Sequence, residues 1–181
     1  MSGFNINEFL AEIDRGNIAK SSNYSVQVHG RIGDINNERD MMFRADSVTM
    51  PGRNIQTTEY SLYGVAEKIG YDSILNPVEA TFILSADLRE KTYFHEWQDL
   101  IVGTYRTGAI DKSMFKIGFY DDYVGNVRIN SYDDTGEITN TIELIEAYPL
   151  NIGDVNRSWE AGTEALRLNV TFAYRFFLDE R

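Results

Sequence analysis

The chain has 181 residues, enough for one domain with a substantial core, and its 43% hydrophobic and 25% charged content argues against wholesale disorder. A formal charge of −11 gives little to gain from counterion release on phosphates, which argues against a DNA-gripping role. Cysteine is absent, which rules out disulfides, thiolate zinc sites and cysteine nucleophiles.

No apolar run approaches the roughly 20 residues of a membrane helix, so no membrane anchor is expected. The opening MSGFNINEFLAEIDRG lacks the basic and apolar regions of a classical signal peptide. A short amphipathic helix is predicted at about 7–15. Asn7 suits the N-cap, Phe9, Leu10 and Ile13 recur at helical spacing, and Gly16 ends it. A helix this short is marginal alone and needs a surface to dock on.

From Tyr24 the period becomes two. Tyr24, Val26 and Val28 alternate with Ser25, Gln27 and His29, the pattern of a half-buried strand. MMFRADSVTM reads as the next strand, broken by Pro51 and Gly52. Residues 51–76, rich in Thr and Tyr and containing Gly64 and Gly70, suit a long polar hairpin better than core strands. In NPVEATFILS, Val78, Ala80, Phe82 and Leu84 alternate again.

One principal helix is predicted at about 87–102, with Asp87 as cap and Glu90 completing a capping-box-like pair. Phe94, Trp97, Leu100 and Ile101 form its apolar stripe, with Phe94, Trp97 and Ile101 assigned to the core. Strands resume at MFKIGFY, with Phe115, Ile117 and Phe119 on one face, then at NVRIN and at EITNTIELIEAYP, which Pro149 closes. The last, LRLNVTFAYRFFL, is the clearest, with Val170 and Phe172 in its core-facing row. The fold class expected is mainly β, two packed antiparallel sheets as a sandwich or partly closed barrel, with one principal helix.

Three stretches invite a chemical reading. YDDYVGNVRINSYDDTGE carries paired carboxylates beside Gly125 and Gly136, but neither glycine gives a calcium-loop frame: one puts Ile142 at the twelfth position, the other Tyr120 at the first. It reads as turn, strand, turn. HEWQD, with His95, Glu96 and Asp99, is a degenerate zincin motif whose third ligand has no candidate but His29, so a metalloenzyme is a weak alternative. The tyrosines could stack on single-stranded bases only beside a basic groove, which this charge does not favour. Catalytic, cofactor and metal residues are therefore assigned as none, and the chain is not expected to be an enzyme.

The order of landmarks carries more than any motif. IDRGNIAKSSNYSVQV, FRADSVTMPGRNIQTTEYSLYG, LREKTYFHEWQDLI and IELIEAYPLNIGDVNRSWEAGTEALRLNVTFAYRFF together resemble the tail tube proteins of T4-type contractile-tailed bacteriophages. More distantly, the chain is similar to the inner-tube proteins of contractile injection systems and type VI secretion. It departs in having SSNY where many members carry a Pro-containing turn. The resemblance implies one tail-tube domain over 1–181, six-subunit rings stacked into a tube, and double-stranded DNA passing through the lumen without specific binding. It also implies a contractile sheath outside, baseplate and terminator proteins at the ends, and residence in the virion after synthesis in the host cytoplasm. The contacts it suggests between subunits or rings are Phe9, Leu10, Ile13, Pro51, Gly52, Ile55, Tyr60, Leu62, Tyr63 and Gly64. A tube initiator of the baseplate or an injection-system tube are the alternatives. If part of the acidic charge faces the lumen, it would repel the phosphates.

Overall fold

The computed structural model describes residues 6, 20–32, 39, 41–61, 64–103, 117–158 and 164–180. The helix expected at about 7–15, with Phe9, Leu10 and Ile13, lies outside the described residues, as do Leu62, Tyr63 and Phe115. Among the described residues the fold is mainly β, with antiparallel sheets, two helices and no closed barrel.

In chain order the strands are β1 (Tyr24–His29), β2 (Ala45–Val48), β3 (Arg53–Tyr60), β4 (Glu67–Leu75) and β5 (Val78–Ile83). Helices α1 (Arg89–Ile101) and α2 (Tyr120–Tyr123) follow, then β6 (Gly125–Tyr132), β7 (Ile138–Ile152), β8 (Arg167–Ala173) and β9 (Phe176–Glu180). The hydrogen-bonded path runs β1-β6-β7-β8-β5-β2, with β9 also pairing β7, while β3 and β4 pair only with each other. The long path folds over on itself at β7. The first part of β7, through Ile145, lies between β6 and β9; its last part, from Tyr148, pairs β8. One layer is thus β1-β6-β7-β9 and the other β7-β8-β5-β2.

Two strands turn this corner together. Glu146 sits at φ 54° in the middle of β7, and the chain bends at Tyr174–Arg175 between β8 and β9. Arg175 donates its backbone N–H to Ile145 (3.1 Å) and its Nη1 to both Glu146 carboxylate oxygens (3.0 and 3.3 Å). A left-handed non-glycine backbone costs on the order of 1–3 kcal/mol and persists only where its surroundings determine it. Here the surroundings are the ladders on either side of Glu146.

The layers meet through the alternating rows. Val26, Val28, Val127, Ile129 and Leu144 face Val78, Phe82, Leu168, Val170 and Phe172, all essentially inaccessible. Helix α1 adds Tyr93, Phe94 and Trp97, also buried. Phe94 packs on Phe82 and Phe172 (centroids 5.2 and 5.9 Å), and Trp97 on Tyr93 and Phe172 (6.1 and 6.4 Å). The Trp97 indole donates to the Tyr123 carbonyl at 2.6 Å, satisfying its one polar atom. Gly125 makes this possible: a Cβ there would strike the His29 carbonyl and the Trp97 ring.

Several expectations are corrected. The helix has no Asp87 cap; Leu88 takes the N-cap position at φ 55°, and Asp87 instead lies 3.5 Å from Arg89. Glu90 is buried and reaches back to the Ser85 backbone N–H (2.9 Å) and hydroxyl (2.8 Å), with Arg44 Nε at 3.1 Å. The buried row of α1 is Glu90, Tyr93, Phe94 and Trp97, whereas Leu100 is exposed and Ile101 is half-buried rather than core. MMFRADSVTM is a strand only at Ala45–Val48; Met41 enters the core while Phe43 points out. Ile117 makes a single bridge to Val102, and Ile117 and Phe119 are both exposed. Pro149 does not close β7 but lies buried within it at a register shift, where the missing N–H costs no ladder bond. The segment read as one final strand is two, β8 and β9, divided at the corner.

Candidate assembly surfaces

Four features outside the core have the makings of a site. The first is the hairpin β3–β4. Its register runs from Arg53↔Leu75 to Tyr60↔Glu67 with a bulge after Gln56. At eight to nine residues a strand, it extends about 27 Å. Nearly every residue is exposed, including Ile55, Tyr60, Ile69 and Tyr71. An isolated two-stranded hairpin is marginal in water. What holds this one is local: Ile55 packs over Gly70, and the Tyr71 hydroxyl donates to Gln56 Oε1 at 2.5 Å. At its root Asn76 donates to the Gly52 carbonyl (3.2 Å), Tyr174 to the Asn76 carbonyl (2.8 Å), and Arg53 lies over the Phe177 ring. Pro51 and Gly52 are half-buried at this root, and Gly64 is exposed at φ 107° in the connection.

The second is the pair of edges of the layer β1-β6-β7-β9. Among the described residues β1 pairs only with β6, and β9 only with β7. Among these residues each edge carries a row of backbone donors and acceptors with no ladder partner, a template for another strand. Phe176 and Leu178 stand exposed on β9.

The third is the outward face of that layer, polar across β1, β6 and β7 and apolar at β9, where Phe176 and Leu178 share it. The Tyr132 and Ser25 hydroxyls lie 2.9 Å apart, Asn130 donates to Ser25 at 3.4 Å, and Thr141 donates to Asn130 at 3.1 Å. Next along the strands, Glu143 Oε1 accepts from Asn126 (3.2 Å) and from Arg128 Nη2 (3.4 Å).

The fourth is an apolar hollow of about 270 Å³ lined by Gln98, Ile101, Val102, Tyr148, Pro149 and Leu150. Beside it Tyr123 stacks edge-on against Tyr120 and Tyr148, both centroids 5.5 Å away. Burial, then a hydrogen bond to Glu146, pushes the Tyr120 hydroxyl up to about 12.

The acidic stretch that invited a metal reading resolves into structure. Asp133 Oδ1 accepts from the Thr135 N–H (2.8 Å), the Thr135 hydroxyl (2.6 Å) and the Glu137 N–H (3.0 Å), and Gly136 takes φ 85°. These bonds, the Thr135 hydroxyl first, hold its carboxyl below the usual range. Asp134 accepts from Lys20 at 2.9 Å. The other half is corrected: DDYVGN is not a glycine turn but the short helix α2 followed by Gly125 at its close approach. Among the described residues, no group of three or more His, Cys, Asp or Glu is placed to hold a metal ion.

Sequence reasoning missed the Arg128–Glu143 pair and the β9 edge. The first needs the register, and the second needs the corner.

These features define a class: a bent, two-layer antiparallel β-subunit with open strand edges and an uncored hairpin. A family model described as phage tail tube protein matches residues 7–180, and the chain belongs to that family. No curated protein sequence matches it. Among solved structures, the fold is similar to a chain of the extracellular contractile injection system PVC sheath–tube complex in the extended state. That match has a TM-score of 0.64 at 12% identity, covering 94% of this chain and 96% of that one. A chain of the six-fold symmetrised baseplate of the anti-feeding prophage gives 0.63 at 11%, covering 91% and 97%. A crystal structure of an Hcp protein gives 0.51 at 12%, covering 88% and 93%.

Proposed function

We propose that this chain, as a single domain, is the repeating subunit of a phage tail tube. In this reading six copies close into a ring, and rings stack into a conduit for double-stranded DNA inside a contractile sheath. Baseplate and terminator proteins sit at the ends, and the chain acts as structure, not as an enzyme. One observation carries it: a member of the tail tube family has a four-stranded layer whose outer strands, among the described residues, pair on one side only. Joining β9 of one copy to β1 of the next continues the layer, and such a head-to-tail contact closes into a ring when the rotation allows. The six-fold symmetry of the anti-feeding prophage baseplate, a neighbour in fold, supports the number.

Six layers of four strands, about 4.8 Å apart, enclose a channel about 37 Å across, which strand tilt widens further. The second layer and α1 need the larger circumference, so they lie outside and the polar face lines the channel. The hairpin and the N-terminal segment then reach neighbouring copies, with Ile55 and Tyr60 on the hairpin, Pro51, Gly52 and Gly64 shaping it, Leu62 and Tyr63 between its strands in sequence, and Phe9, Leu10 and Ile13 before the first strand.

Electron microscopy of the purified chain tests this. Rings or tubes are expected. A chain that stays monomeric at every concentration and retains bound zinc overturns the reading. The fold likeness to PVC, anti-feeding prophage and Hcp chains favours, as a second reading, the inner tube of an injection particle. Finding the chain in DNA-filled particles decides for the first.

A further inference from the structure

The face assigned to the channel on that reading differs from the rest of the molecule in its charge. The chain holds 28 acidic and 17 basic residues. By the strand register, the outward row of this face carries Arg128, Glu143 and, opposite Thr141 on β9, Glu180. On β1, β6 and β7 the rest of the face is mostly amide and hydroxyl, engaged in the Tyr132–Ser25–Asn130–Thr141 chain, while Leu178 opposite Glu143 and Phe176 opposite Ile145 make its β9 side apolar. Asp46, Asp72 and Glu79 belong to the other layer and the hairpin, and Asp133 and Asp134 to a turn. Massed acid is not what this face offers.

Among the described residues its one arginine is held down. Glu143, largely buried (side chain 18% accessible), takes both Arg128 and Asn126 on one oxygen. Arg128 keeps its Nε buried against the sheet with no acceptor. We infer that Glu143 is the residue that keeps duplex DNA from adhering to the channel wall: it neutralises Arg128 in place, the one arginine that the described residues put on this face. The repetition of a tube makes this matter. A free arginine on every copy would form a cationic ladder, and phosphate contacts that are weak singly become strong together.

The experiment uses assembled tubes of the full chain and a short fluorescent DNA duplex, co-sedimented at low salt. Wild-type tubes are expected to leave the duplex in solution. Glu143→Gln tubes are expected to retain about tenfold more, with the retention lost on raising salt to the physiological range. Glu143→Gln/Arg128→Gln returns to the wild-type level. Glu79→Gln, the same charge change on the other layer, stays there too. Retention by wild-type tubes, no gain in Glu143→Gln, or an equal gain in Glu79→Gln overturns the inference. If Glu143→Gln does not assemble, Gln27→Arg places an unpaired cation beside Arg128 while leaving the pair intact, and failure of those tubes to hold the duplex overturns it equally. A wild-type chain that forms no tubes refutes the tube reading; tubes that form but ignore these changes refute only the role of Glu143.

Discussion

The helix-covered core and the β3–β4 hairpin are both built from alternating strands, yet they solve different problems. Around Trp97 every large side chain has neighbours in its own subunit, and even the polar atoms are matched, as with the indole N–H on Tyr123. On the hairpin, Ile55, Ile69 and Tyr71 lie in water, and the ladder rests on one another and on a root of a few hydrogen bonds. The first region folds the monomer. On the proposed tube reading the second waits for a neighbouring copy, so stability and assembly would be written in separate places.

That separation can be broken at its strong end. Trp97→Ala removes the largest buried side chain and is expected to cost about 3–5 kcal/mol, read by urea denaturation of the subunit. Gly125→Ala drives a Cβ into the His29 carbonyl, and a loss of about 3 kcal/mol is expected, together with faster amide exchange at the start of β6. Glu90→Gln leaves Arg44 and Ser85 without their carboxylate, for about 2 kcal/mol. This last effect depends on pH with a definite sign. Burial alone would raise the Glu90 carboxyl, but hydrogen bonds from the Ser85 backbone, its own N–H and the Ser85 hydroxyl, with the Arg44 charge, outweigh it and hold it below its ordinary value. Its contribution is therefore complete above the ordinary glutamate range and is lost as pH falls through the lowered value. Wild type and Glu90→Gln should converge in stability in acid; parallel curves down to low pH would refute it.

At the weak end the comparison sharpens. Ile55→Ser on the hairpin and Leu178→Lys on the β9 edge should each change subunit stability by about 0.5 kcal/mol or less, because both side chains are exposed. Both should nonetheless reduce the yield of tubes seen by electron microscopy. A large loss of monomer stability in Ile55→Ser would mean that the hairpin belongs to the folding unit after all.

The strands with one buried face were legible because a period of two survives in β1, β5, β6 and β8. The helix was legible from Phe94 and Trp97, and the hairpin region from its Thr, Tyr and Gly content. Three things were hidden, each for a physical reason. The alternation of LRLNVTFAYRFFL continues across the bend at Arg175, so nothing in hydrophobicity marks where β8 leaves one layer and β9 enters the other. Leu88 and Glu146 adopt left-handed backbone without being glycine, which only long-range packing imposes. The Arg128–Glu143 pair is set by register, and β6 and β7 carry bulges that shift it, so no spacing rule finds it.

The shared corner at Glu146 and Arg175 has a mechanical meaning. Since β7 serves both layers and β8 and β9 follow it across the same bend, neither layer has a seam along which it can peel from the other. Tension entering at one layer passes through continuous backbone into the next, where it meets ladder hydrogen bonds in shear rather than one after another.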